Sequence, residues 1–209
     1  MSSTYKHFIF DFDGTLADSV DWVIRTLNDV AAHHGFRSVN EDEIQMLRGR
    51  PNREIVKFLG VPAWKVPLIA TDMRARIAAD IEQIKLFPGT DQLLADLEAR
   101  GSRIAVVTSN SEANVRRILG AKNSERFHRF ECGASIFGKA RRFRRVIQDS
   151  GVSAAETICI GDETRDIDAA RSIGAASGAV SWGYATPDVL AAHQPDHLFE
   201  QMAAIVELA

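Results

Sequence analysis

The stretch Phe8-Ile9-Phe10-Asp11-Phe12-Asp13-Gly14-Thr15-Leu16 decides how the rest of the chain is read. An apolar run stops at two carboxylates spaced i, i+2, followed by Gly, Thr and Leu. On an extended segment such residues share a face, so Asp11 and Asp13 can reach one site as the strand ends. Close carboxylates repel each other, and the pair therefore calls for a cation or a shared proton. Gly14 permits the tight turn and a close backbone approach.

Three later stretches repeat the form of an apolar run ending in polar groups or a helix start. Arg103 to Val107 leads into Thr108-Ser109-Asn110. A hydroxyl and free backbone N–H groups at such a junction suit a phosphate oxygen. The same residues serve equally as an ordinary helix cap. Phe137-Gly138-Lys139-Ala140 sets a lysine behind a glycine, with Arg141, Arg142, Arg144 and Arg145 following. Phe143, Val146 and Ile147 mark the apolar side of that segment at helical spacing, so the arginines read mainly as its wet face. Thr157 to Ile160 runs into Gly161-Asp162-Glu163-Thr164-Arg165-Asp166. Glu163 falls where a helix N-terminus favours an acid on dipole grounds alone.

In this order the four motifs resemble those of the haloacid dehalogenase-like hydrolases. The overall spacing is similar to their phosphoglycolate-phosphatase-like branch with a helical cap. The resemblance covers essentially the whole chain. It implies Asp11 as a nucleophile that forms an aspartyl-phosphate. It implies Asp13 as the acid that protonates the leaving alkoxide and then the base that activates water. Thr108 matches the phosphate-binding hydroxyl, with Ser109 and Asn110 beside it, and Lys139 matches the ammonium that neutralises the phosphoryl group and the nucleophile. Asp11, Asp162 and the backbone carbonyl of Asp13 would hold a hard divalent cation, Mg²⁺. Thr15, Glu163 and Asp166 take supporting places. Asp13 favours phosphate esters over C–halogen bonds, because an alkoxide is a poor leaving group that needs a proton. A β-phosphoglucomutase-like phosphotransfer would use the same core, and a phospho-ligand-binding protein without turnover would keep the same motifs.

Strands alternate with helices after about residue 88, which argues for a Rossmann-like parallel sheet with helices on both faces, an α/β core. Ligands of such sheets bind beyond the carboxyl ends of the strands. Expected strands cover 103–108, about 129–133, 157–160, 178–182 and a short edge strand at His197-Leu198-Phe199. Thr90 is the expected cap of the helix before Gly101. Another helix starts at Asn110 or Ser111 and stops near Gly120. The region from about 18 to 86 breaks the alternation and reads as wholly helical. Asp18 is the expected cap of its first helix and Gly35 the stop. Glu43 to Leu47 forms a second piece, Pro51 opens a third, and a fourth runs from about Ala63 to Ile84 with its start delayed or kinked by Pro67. The expected organisation is therefore a catalytic core of residues 1–17 and 87–209 with an all-helical cap at 18–86. In the cap, Arg48 and Arg50 flank Gly49 and are candidates for pairing with a substrate carboxylate or phosphate. Trp182-Gly183-Tyr184 follows a strand end and could line the mouth of the site, with packing as its expected role.

The 209 residues allow one substantial core plus a small accessory domain. A net charge of −3 gives no global attraction to nucleic acid. No apolar run approaches the roughly 20 residues that span a bilayer, and the polar start, Met1 to His7, does not read as a signal peptide. Cys132 and Cys159 offer no disulfide framework or zinc site, so a reducing cytoplasm is the expected setting. The expected partner is a small phosphorylated metabolite. The identity of that substrate and the oligomeric state are not written in the motifs.

Overall fold

The structure, a computed structural model, describes residues 4–133 and 138–209. Phe137 of the third motif lies outside the described residues. β1 (His7–Phe10) is buried along its whole length. Period-two alternation sends Phe8 and Phe10 to one face of the sheet and Ile9 to the other, which gives two separate apolar clusters. Phe8 and Phe10 pack with Leu93, Leu94 and Leu97 of α5 (Thr90–Ala99) and Val115 of α6 (Glu112–Ser124). Ile9 packs with Phe143, Val146 and Ile147 of α7 (Lys139–Ser150) and Ala169 and Ala170 of α8 (Thr164–Arg171). A strand apolar on both faces must be covered on both, and the helices do so.

The remaining strands of the sheet are β4 (Arg103–Val107), β5 (Phe127–Glu131), β6 (Thr157–Gly161), β7 (Ala176–Val180) and β8 (His197–Phe199). They lie in the order β5-β4-β1-β6-β7-β8, all parallel. The core is the expected α/β Rossmann-like fold. Register decides the site. Phe10 pairs with Val106 on one side and Ile160 on the other. The residues just beyond these pairs therefore emerge together: Asp11 in the middle, Thr108 on one flank, Asp162 on the other.

The helical insertion leaves and re-enters the core through a second, two-stranded sheet. In it β2 (Ala17–Asp18) pairs antiparallel with β3 (Lys85–Leu86). Between them run α1 (Val20–His34), α2 (Glu41–Leu47), α3 (Asn52–Phe58) and α4 (Val66–Ala79), with 3₁₀ turns at Ala63–Lys65 and Ile81–Gln83. The insertion has its own small core of Val39, Leu47 and Leu59. Pro67 sits in the first turn of α4, where its missing N–H costs nothing.

Several local expectations need correction. Asp18 belongs to β2, and Ser19 takes the cap position of α1. Gly89, at φ +90°, occupies the cap position of α5, and Thr90 instead donates its hydroxyl to the Leu16 carbonyl at 3.3 Å. Helix α6 is interrupted at Gly120, φ +74°, and continues to Ser124. The arginines of α7 are not simply solvated: Arg142 and Arg145 both pair with buried Glu131, at 2.7 and 3.0 Å. Removing a carboxylate from water at the end of β5 needs this much positive charge around it. Cys159 is a buried strand residue as expected, and both cysteines are free. Among the described residues, no helix is long and apolar enough to cross a membrane.

Candidate active site

Asp11 leaves β1 with its N–H bonded to the Ile160 carbonyl at 2.8 Å, so the backbone is held by the sheet up to the functional residue. Its Oδ1 accepts the Phe12 N–H at 2.8 Å and its Oδ2 accepts from Lys139 Nζ at 2.6 Å. Lys139 is the first residue of α7, and the same ammonium pairs with Asp166 of α8. Burial alone would lower the Lys139 pKa. The charges of Asp11 and Asp166 outweigh it and hold the ammonium above its ordinary value.

Asp13 stands on the turn opened by Gly14, at φ +77°. Asn110 Nδ2 lies 3.2 Å from each of its carboxylate oxygens, and Thr108 Oγ1 lies 3.5 Å from one of them. Burial first, and then the negative charge of Asp11, raise the Asp13 pKa to about 6, against the hydrogen bonds from Asn110 and Thr108. The Asn110 amide is oriented in turn by Asn114 of α6, whose Nδ2 donates to Asn110 Oδ1 at 3.0 Å. Asn114 also donates to the Arg74 carbonyl of α4 at 2.9 Å, which links the insertion to the loop after β4.

Asp162 is fully buried. Thr15 Oγ1 donates to its Oδ1 at 2.9 Å and the Tyr184 N–H to its Oδ2 at 2.8 Å. Two glycines make room for it. A Cβ at Gly14 would lie 2.3 Å from Asp162 Oδ2, and one at Gly183 would lie 2.2 Å from Asp162 Cβ. Burial pushes the Asp162 carboxyl well up, with Glu163, Asp11 and Asp166 adding to the effect. Burial likewise raises Asp166 despite the facing Lys139. Asp166 Oδ2 accepts the Glu163 N–H at 3.2 Å.

Asp11, Asp162 and Asp166 bring ligand atoms within 4.8 Å of one another. Close by are Asp13 and Glu163, against the cations Lys139 and Arg165. Five carboxylates against two cations leave a negative surplus in a buried place, and an all-oxygen donor set of this kind fits a hard divalent ion. The donors on Asp162, a hydroxyl and an amide, carry no full charge that would offset it.

The structure thus brings together Asp11, Asp13, Thr15, Thr108, Ser109, Asn110, Lys139, Asp162, Glu163 and Asp166. It spends the Asn110 amide on Asp13, whereas the sequence pointed to phosphate. It does not place Arg48 or Arg50 among the residues that line the cavity above Asp11. Arg48 donates to the carbonyls of Tyr184 and Gly183, at 2.8 and 3.0 Å, and Arg50 lies 3.5 Å from Glu54. The sequence reading missed Arg165, which lines the cavity, pairs with Glu163 at 2.6 Å and comes within 3.9 Å of Asp11. Its place between Asp162 and Asp166 was the available signal. Asn114, Arg74 and the tight fit of Gly183 were also missed, since each depends on contacts far apart in sequence.

The family pattern of the haloacid dehalogenase-like hydrolases matches residues 8–180. The chain belongs to this family. It is 32% identical over 200 residues to a phosphoglycolate phosphatase of Synechococcus elongatus, covering 95% of this chain and 94% of that protein. A 5′-nucleotidase of Pseudomonas aeruginosa is 26% identical and covers 96% of this chain and 94% of its own length. In fold, a haloacid dehalogenase-like family hydrolase from Streptococcus pneumoniae superposes with a TM-score of 0.80 at 21% identity, covering 99% of both chains.

Proposed function

We propose that this phosphatase cleaves the monoester of a small phosphorylated metabolite in two steps, with Mg²⁺ bound and an aspartyl-phosphate formed on Asp11. The observation that carries the reading is the pairing of Asp11 with Lys139 at 2.6 Å beside Asp13, whose pKa stands near 6. One carboxylate is oriented by the Phe12 N–H and the Lys139 ammonium, and its neighbour is able to hold a proton close to neutral pH. Carboxyl groups whose environments differ in this way divide the roles of nucleophile and acid–base catalyst.

In the first step an Asp11 oxygen attacks phosphorus and the P–O bond to the alcohol breaks. Asp13 gives its proton to the leaving alkoxide. In the second step Asp13, now a carboxylate, takes a proton from water as that water attacks the same phosphorus. The acyl-phosphate bond breaks and Asp11 returns as carboxylate beside inorganic phosphate. Lys139, Thr108 and the backbone N–H groups after Asp11 would hold the other phosphoryl oxygens. Asp11, Asp162 and the Asp13 carbonyl would hold the metal, with Asp166 supporting it and Lys139. When bound, the metal offsets negative charge so that an anionic carboxylate can meet an anionic phosphate.

Phosphoglycolate, named for the Synechococcus relative, is the first ester to try. The nucleotidase relative covers the chain as fully, so the core chemistry is shared while the alcohol differs. The test is inorganic phosphate release from a panel of phosphorylated metabolites, with and without Mg²⁺, beside Asp11→Asn. Mg²⁺-dependent release that disappears in the variant is expected. Turnover that survives Asp11→Asn would sink the nucleophile, and no release from any ester would sink the phosphatase reading.

A further inference from the structure

A cavity of about 300 Å³ stands directly above Asp11 and Asp13. Its two walls differ in kind. The core wall is polar: Thr108, Ser109, Asn110, Glu163, Arg165 and the two aspartates. The wall contributed by the insertion includes Val23, Leu27 and Val30 of α1, Val56 of α3, and Ile69 and Met73 of α4. Among the described lining residues of the insertion, Arg74 alone carries a charge. Its guanidinium is engaged at the seam, donating to the Ser109 carbonyl at 3.2 Å and to Thr71 Oγ1 at 3.1 Å.

We infer that the organic part of the preferred substrate is uncharged and largely apolar, seated against α1 and α4 while its phosphate meets the core wall. This rests on the phosphatase reading and narrows it to a class of esters. Any ester held by the core wall must send its alcohol into the cavity, because the aspartates line that same space. A second anion there, such as the carboxylate of phosphoglycolate, would lose hydration and find aliphatic groups across most of the facing wall. An alkyl or aryl group instead removes apolar surface of both partners from water. The space suits such a group: it lies at the small end of ligand pockets, which are mostly apolar with a few convergent polar groups.

The experiment measures kcat/KM for n-alkyl phosphates from methyl to hexyl, for phenyl phosphate and for phosphoglycolate, at saturating Mg²⁺. Each added methylene is expected to raise kcat/KM by about threefold to fourfold until the cavity is filled. Phosphoglycolate is expected at least about tenfold below phenyl phosphate. Ala70 of α4 also lines the cavity, and Ala70→Phe, which adds a ring there, should flatten the chain-length gradient. Phosphate release with no gradient, or with phosphoglycolate above phenyl phosphate, overturns the inference and leaves the phosphatase reading standing. No release from any ester overturns that reading and the inference with it.

Discussion

Strand β1 carries a buried titratable side chain at each of its ends, and the fold treats the two in opposite ways. At the amino end, His7 is fully buried. Burial first, then the charges of His128 and Arg103, lowers its pKa to about 3, so the ring is neutral. At the carboxyl end, just past the strand, Asp11 lies among other carboxylates with a lysine at 2.6 Å. Where only packing is asked of a buried group, the uncharged form is the cheaper solution. Where chemistry is asked, charges of both signs are collected and left imperfectly balanced. The carboxyl end therefore concentrates perturbed groups, as functional sites do.

The largest break in this contrast is removal of the positive charge from the functional end. Lys139→Met keeps much of the volume and deletes the ammonium shared by Asp11 and Asp166. Phosphate release is expected to fall on the order of 10³-fold or more, comparable to losing a preorganised charge-stabilising donor. The two acids would then face each other with Arg165, 3.9 Å from Asp11, as the remaining nearby cation. Stability should drop as well, because half of a buried pair is left uncompensated, and the urea midpoint reads this directly. A variant that keeps near-normal turnover would show that Lys139 only packs.

Asp13 sharpens the comparison by its direction of titration. Its pKa is raised to about 6, the reverse of the shift at His7. In the proposed mechanism the ester-cleaving step uses the protonated form. Alcohol release in a single turnover should therefore decline by up to tenfold per pH unit above about 6. The proposed second step uses the carboxylate, so breakdown of phospho-Asp11 should slow as pH falls below that value. Asp13→Asn should cost at least about 10²-fold and remove the alkaline decline. Rapid-quench measurement of the two steps separates the limbs, and a single-turnover rate that stays level from pH 6 to 8 would remove Asp13 from the proton-donor role.

The sheet and the carboxyl-end cluster were legible because they rest on local signals. Apolar runs closing in Asp11, Thr108 and Asp162 declare strands and say which end is functional. Parallel register then brings those ends together without further instruction. The pieces that were not legible depend on partners far along the chain. β2 and β3 are two residues each, too short for any periodicity, and exist only because residues 17 and 86 meet. Arg48 carries the charge expected of a substrate selector, yet its donors are taken by the Gly183 and Tyr184 carbonyls. Nothing in the local string Leu47-Arg48-Gly49 could reveal carbonyls more than a hundred residues away. Asn40 and Glu43 form a reciprocal cap that starts α2 at Glu41, two residues before the start expected from the sequence. The aliphatic wall of the cavity escaped notice for another reason. Val23, Leu27 and Val30 have the spacing of any buried helix face, and periodicity does not distinguish a face packed on protein from one that lines a space.

The smallest expected effect lies at the quiet end of β1. In the folded protein His7 is neutral down to about pH 3, whereas an unfolded histidine takes a proton near pH 6.5. Between these values the unfolded chain binds more protons, so stability rises with pH and is lost on acidification from about 6.5 toward 3. The slope from one such group is at most about 1.4 kcal/mol per pH unit. His128, 5.1 Å away between ring centroids and also lowered by burial, adds to the loss in the same direction. His7→Leu removes one of the two contributions. It also removes a ring whose Nε2 has no hydrogen-bond partner among the described residues and whose Nδ1 lies 3.4 Å from Thr157 Oγ1. Urea unfolding at pH 7, 6, 5 and 4.5 should therefore show a shallower acid decline for the variant than for the wild type, by up to about 1 kcal/mol per unit. Parallel curves would mean that His7 becomes charged inside the folded protein, and the contrast between the two ends of the strand would fail.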